Sequence, residues 1–192
     1  MIGLFFGSFN PIHTGHLIIA EFIRQQAKLD EVWFIVSPHN PLKKQKTLLP
    51  EADRLKLVKL AIKDNPHFKV SDVEFHLQKP SFTIHTLEAL AKTNPRRKFA
   101  IIMGSDNLDI LNQWKDYQTI LDRYPLKVYS RNESSDVPWK KHRNITYYDA
   151  PQLIISSTLI RKMLAARKSI RYLVPDNVNR YIQLHQLYSK NN

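Results

Sequence analysis

Short apolar runs rich in β-branched and aromatic residues alternate along almost the whole chain with longer amphipathic ones. That alternation narrows the fold more than any other feature of the sequence. The runs at 2–6, 32–36, 68–73, 98–103 and 126–130 have the length and composition of buried strands, and 144–148 reads as a sixth. Between them, 14–28, 51–65 and 82–93 carry apolar residues at helical spacing, and 116–123 is a shorter segment of the same kind. In the second of these, Leu55, Val58, Ala61 and Ile62 form the stripe, and Glu51 and Asp53 fall in a first turn where negative charge suits the helix dipole. Two more helices are expected at 157–167 and 176–187, the latter entered through Pro175.

Strands that alternate with helices in this way pair in parallel, with helices packed on both sides. The expected fold is α/β: a Rossmann-like doubly wound parallel sheet of five to six strands, with helices on both faces and a C-terminal helical segment. No internal repeat, low-complexity tract or long linker divides the 192 residues. One domain over 1–192 is expected, with the helices from about 156 packed on it. The stretch 132–141, with Pro138 inside it, reads as an exposed loop. The first 20 residues lack Asp, Glu, Lys and Arg, but they have no basic leader, and Asn10, Pro11, His13, Gly15 and His16 interrupt the apolar run. Neither a signal peptide nor a membrane span is expected there, and the default location is cytoplasmic.

Only four glycines are present, and Gly7, Gly15 and Gly104 fall just beyond apolar runs, where the backbone must turn sharply or approach a ligand closely. Ligands of open α/β sheets bind beyond the carboxyl ends of the strands, where strand order reverses. With the first and fourth strands adjacent, Gly7 and Gly104 would face each other across that crevice.

Composition restricts the chemistry. There is no cysteine, which excludes disulfides, a thiolate nucleophile and Cys-based metal centres. Lys and Arg number 29 against 17 Asp and Glu, a net charge of +12 that points to an anionic partner. Between 138 and 171, Lys140, Lys141, Arg143, Arg161, Lys162, Arg167, Lys168 and Arg171 face a single acid, Asp149, a local excess of +7. Lys43, Lys44 and Lys46 form a second cluster. The runs at 96–98 and 140–143 read as solvated surface. A basic nucleic-acid-binding module is a competing reading of +12, but no RNA-binding sheet motif or helix-turn-helix pattern supports it.

The first strand runs into Gly7-Ser8-Phe9-Asn10-Pro11-Ile12-His13-Thr14-Gly15-His16. This string is neither the G-x-G-x-x-G fingerprint nor a Walker A loop. It still places backbone N–H groups and a helix start where an anion would be held. His13 and His16, three apart, can point to one side and donate to a phosphoryl oxygen. A helix start with incidental polar residues, or a metal site, are the alternatives; with no cysteine and no obvious third ligand, zinc fits poorly.

The ten-residue string resembles the G-x-F-[DN]-P-x-H-x-G-H signature of the nucleotidyltransferase superfamily. Ile155-Ser156-Ser157-Thr158-Leu159-Ile160-Arg161 resembles its I-S-S-T-x-I-R motif, which also reads as a capped helix start. Four further segments are similar to those of bacterial nicotinate-nucleotide adenylyltransferases. These are 37–43 with Lys43, Pro80-Ser81-Phe82-Thr83-Ile84-His85-Thr86-Leu87, Met103-Gly104-Ser105-Asp106, and Tyr172-Leu173-Val174-Pro175-Asp176-Asn177-Val178. Trp114 stands where that family carries a ring-stacking tryptophan. Leu42 and Phe82 depart from the histidine and tyrosine usual in the family.

The resemblance implies transfer of AMP from ATP to nicotinate mononucleotide, giving deamido-NAD and pyrophosphate, with Mg²⁺ accompanying ATP and no protein side chain acting as a metal ligand. In that scheme His13, His16 and Lys43 are catalytic. Gly7, Ser8, Phe9, Gly15, Gly104, Asp106, Ile155, Ser157, Thr158 and Arg161 bind ATP. Asn10, Thr83, Trp114 and Arg131 bind the mononucleotide. Another adenylyltransferase, such as a phosphopantetheine or nicotinamide-mononucleotide enzyme, shares the two terminal motifs. Neither the choice between nicotinate and nicotinamide nor the oligomeric state is legible in the residues.

Overall fold

The computed structural model describes residues 1–38, 48–130 and 137–189. Six strands, β1 (Ile2–Gly7), β2 (Glu31–Val36), β3 (Phe68–Ser71), β4 (Phe99–Gly104), β5 (Leu126–Tyr129) and β6 (Ile145–Tyr148), form one sheet. Their spatial order is β3-β2-β1-β4-β5-β6, and every neighbouring pair is parallel. This is the doubly wound arrangement expected from the alternating pattern, and its order reverses between β1 and β4. The register that pairs Phe5 with Ile102 brings Gly7 and Gly104 to the same carboxyl edge.

Side chains alternate across β1. Phe5 joins one apolar layer while Ile2 and Leu4 join the other. The first layer is closed by helices α1 (Thr14–Gln26), α2 (Glu51–Ala61), α6 (Ser157–Ala165) and α7 (Asp176–Leu184), through Ile19, Ile23, Leu57, Val58, Ile160, Val178 and Ile182. The second is closed by α3 (Thr83–Thr93), α4 (Ser105–Asp109) and α5 (Tyr117–Arg123). The C-terminal helices thus share a core with α1 and β1, and the Thr14 N–H donates to the Leu173 carbonyl at 2.9 Å.

Several boundaries differ from expectation. β3 stops at Ser71, and Val73–His76 forms a turn of 3₁₀ helix. The last helix ends at Leu184, beyond which Gln186 and Tyr188 adopt positive φ. The five-residue α4 is too short to leave a periodic signature. On α2 the buried face is Arg54, Leu57 and Val58, with Leu55 only half-buried. Within the expected 132–141 loop, 137–141 are described. Trp139 there is half-buried, and its indole N–H donates to the Leu108 carbonyl at 2.9 Å. Among the described residues, no helix is long and apolar enough to cross a membrane.

Candidate active site

The sharp turn after β1 is made by Phe9, not by a glycine. Phe9 has φ of 44°, and no glycine has positive φ. Its ring is buried against Phe5, Phe34 and His16, at centroid separations of 6.1, 5.6 and 5.2 Å. That burial offsets a left-handed backbone, which costs a bulky residue on the order of 1 kcal/mol. At Gly7 and Gly15 the constraint is space instead, severe at the first and tight at the second. A Cβ on Gly7 would lie 2.8 Å from the Phe9 ring, and one on Gly15 would lie 3.1 Å from His13 Nδ1.

His13 caps α1 in extended conformation, and His16 follows in its first turn. Their rings stack, with centroids 3.6 Å apart and planes inclined by 24°. The His13 backbone N–H donates to His16 Nδ1 at 3.2 Å. An amide donating to Nδ1 needs a lone pair there, so the His16 proton resides on Nε2. His16 therefore has a fixed tautomer, held between the stacked His13 and the edges of Phe5 and Phe9.

The two terminal motifs meet at this point. The Ser157 hydroxyl donates to the Pro11 carbonyl at 2.9 Å, and Arg161 Nη1 donates to the Asn10 carbonyl at 2.7 Å. Ser156 caps α6 by accepting the Leu159 N–H at 3.1 Å. Ile155 lies 3.8 Å from the place a Gly15 Cβ would occupy. Exposed Thr158 accepts from Arg161 Nη2 at 3.3 Å. The N-terminus of α6, with its positive dipole end, is thus fastened to the loop that carries the histidines. Gly104 caps α4, and Asp106 is exposed on it at the carboxyl edge of the sheet. Lys43 and Arg131 lie outside the described residues.

Residues 4–163 match the family model described as cytidylyltransferase-like. A protein of Cytophaga hutchinsonii that carries the name "probable nicotinate-nucleotide adenylyltransferase" is 48% identical over 188 residues, 98% of each chain. One of Flavobacterium johnsoniae with the same name is 46% identical over 191 residues, covering 98% of this chain and 99% of its own. The chain belongs to the cytidylyltransferase-like family, in its nicotinate-nucleotide adenylyltransferase branch. The fold is also that of a Plasmodium falciparum nicotinic acid mononucleotide adenylyltransferase complexed with NaAD, at a TM-score of 0.81 and 20% identity, over 97% of this chain and 96% of that one.

Not every residue singled out in this adenylyltransferase sequence joins the histidine cluster. Thr83 opens α3 and Trp114 follows the 3₁₀ turn Leu111–Gln113. Phe82 and Trp114 pack on the layer of the sheet opposite Phe5 and Phe9. Beside them, Lys115 Nζ lies 5.2 Å over the Phe82 ring and 3.2 Å from His85 Nε2. Asn10 is buried, and its side-chain oxygen accepts from the Leu49 N–H at 3.3 Å and the Tyr188 hydroxyl at 2.8 Å.

Two buried charged groups escaped the motif reading of this family member. Arg54 is fully buried and donates to four carbonyl oxygens, those of Leu49, Ser8, Ser37 and Pro38, at 2.6 to 3.0 Å. Its signal was its phase, three and four residues before Leu57 and Val58. Glu74, in the 3₁₀ turn, accepts from the Thr86 hydroxyl at 2.8 Å and the Ser81 hydroxyl at 3.1 Å. Burial pushes its carboxyl above the usual range, against the opposing pull of the Thr86, Ser37 and Ser81 hydroxyls. It ties the carboxyl end of β2 to the start of α3, a link between residues too distant in sequence to form a motif. Among the described residues, no three His, Cys, Asp or Glu side chains converge in a way that could hold a metal ion.

Proposed function

We propose that this chain transfers AMP from ATP to nicotinate mononucleotide, yielding deamido-NAD and pyrophosphate. The 5′-phosphate oxygen of the mononucleotide attacks the α-phosphorus of ATP. The bond from that phosphorus to the bridging oxygen breaks, and the electron pair leaves with pyrophosphate. The attacking phosphate is already ionised at neutral pH, so no protein base is needed. The protein's part is alignment of two mutually repelling anions and neutralisation of developing charge.

The observation that carries this reading is the junction of Ser157 and Arg161 with Pro11 and Asn10. It sets a basic helix start beside the stacked His13 and His16. In this scheme His16 Nε2–H and His13 donate to the transferring phosphoryl group, with Lys43 adding charge. The backbone at Gly7, Ser8 and Phe9, with Gly15, gives ATP close approach. Ser157, Thr158, Arg161 and the α6 N-terminus hold the departing phosphates, Ile155 contacts the adenine, and Asp106, beyond Gly104, accepts ribose hydroxyls. Thr83 and Trp114 receive the pyridine ring, with Asn10 and Arg131 on the mononucleotide side.

Mg²⁺ enters with ATP. It would be held chiefly by phosphate oxygens and water rather than by a protein cage. There it would neutralise triphosphate charge. The reaction and the lack of cysteine both suit a cytoplasmic setting.

The names of relatives 46–48% identical over 98% of the chain support nicotinate mononucleotide as the acceptor. The test is pyrophosphate release from Mg-ATP with nicotinate mononucleotide, nicotinamide mononucleotide and phosphopantetheine in parallel. Turnover at least tenfold faster with the first is expected. Preference for either of the others would reassign the acceptor.

A further inference from the structure

Arg54 is an unusual side chain to find fully buried, because a guanidinium out of water needs its donors filled. Here it donates to four main-chain carbonyls from three separate places. Ser8 belongs to the loop after β1, Ser37 and Pro38 follow β2, and Leu49 precedes α2. The network continues beyond Arg54. The Leu49 N–H donates to Asn10 Oδ1, which also accepts the Tyr188 hydroxyl, while the Asn10 carbonyl accepts Arg161. Two cations and one phenol, from α2, α6 and the segment after α7, therefore grip Ser8, Asn10 and Leu49. Burial pushes the Tyr188 phenol well above its ordinary range, so it remains a donor throughout the useful pH range.

Neither Arg54 nor Tyr188 is placed against a substrate; both act through the backbone and side chain of residues that are, Ser8 and Asn10. Those two residues flank Phe9, the residue whose left-handed backbone turns the chain toward His13 and His16. We infer that Arg54 is a positioning residue for AMP transfer, fixing the loop after β1 through Ser8 and, by way of Leu49 and Asn10, acting in concert with Tyr188. This assignment rests on the proposed function for its reaction, but not for its geometry. Lysine cannot replace it, because one ammonium cannot span carbonyls on opposite sides of a planar fork.

The test combines Arg54→Lys, Tyr188→Phe and the double variant. Each is measured for kcat and KM with ATP and nicotinate mononucleotide, for ATP affinity by calorimetry, and for folded fraction by circular dichroism. Arg54→Lys should lower kcat per folded molecule by about 10- to 100-fold and weaken ATP several-fold. Tyr188→Phe, which keeps the ring, should lower kcat several-fold with the folded fraction unchanged. The double variant should lose less than the product of the two single losses, because both act on one loop. Unchanged kcat per folded molecule in both single variants would show a merely structural role and overturn the inference. Strict multiplicativity would overturn the shared network. Should Arg54→Lys not fold, Tyr188→Phe alone decides, and wild-type kcat in it refutes the claim. A wild-type protein inactive with nicotinate mononucleotide would instead sink the proposed function, leaving the ATP-affinity comparison to judge Arg54.

Discussion

The imidazoles of His13 and His16 lie face to face at 3.6 Å, and the backbone of the first fixes the proton of the second on Nε2. The face of His13 is set in turn by Gly15, where a Cβ would meet the ring at 3.1 Å. Gly15→Ala should gain up to about 1 kcal/mol of helix propensity while displacing His13 by a few tenths of an ångström. The expected outcome is a Tm within a few degrees of wild type with kcat lower by roughly tenfold or more. Calorimetry beside a steady-state assay checks both halves.

Arg161 spans 151 residues to reach the Asn10 carbonyl and also holds Thr158. Arg161→Lys keeps the charge but not the fork. KM for ATP should rise by about tenfold, with a smaller change for nicotinate mononucleotide. Equal rises for both substrates would mean that Arg161 braces the loop without favouring the triphosphate.

Two glutamates should make opposite contributions to the pH dependence of stability. Arg24 beside Glu21, with Gln25 and Asn65 also donating, holds that carboxyl down at about 2 against the effect of its burial. A depressed folded value means stability that is present above the unfolded value of 4.5 and lost as pH falls toward 2. Glu21→Gln should flatten the fall in Tm over that window. Glu74 is the reverse case, since burial raises its folded value. Its contribution is present below 4.5 and lost as pH rises from there through the folded value. The Tm of wild type minus that of Glu74→Gln should therefore decline as pH climbs above 4.5.

How much of this was legible depended on whether the signal was local. The β/α alternation, the junction of Gly7 with the 8–16 string and the capped helix start at 155–161 are local in sequence and appear as read, with Ser156 as the cap. The adjacency of the first and fourth strands entered only as a condition borrowed from the common doubly wound order, and β1 and β4 are neighbours. The glycines misled in one respect: they mark close packing against Phe9 and His13, while the turn itself falls on Phe9. Glu74 was hidden because its hydroxyl donors come from residues 37, 81 and 86, and only the folded chain brings them together. Arg54 was hidden by expectation, since a cation in phase with an apolar stripe reads as an exposed neighbour until its carbonyl partners are seen.

The most direct test is the rate of deamido-NAD formation from Mg-ATP and nicotinate mononucleotide by wild type and by His16→Ala, at saturating substrate and matched folded fraction. The account predicts turnover by wild type and a loss of roughly 10²- to 10³-fold in the variant, with mononucleotide affinity retained. Turnover by His16→Ala within a few-fold of wild type would contradict it.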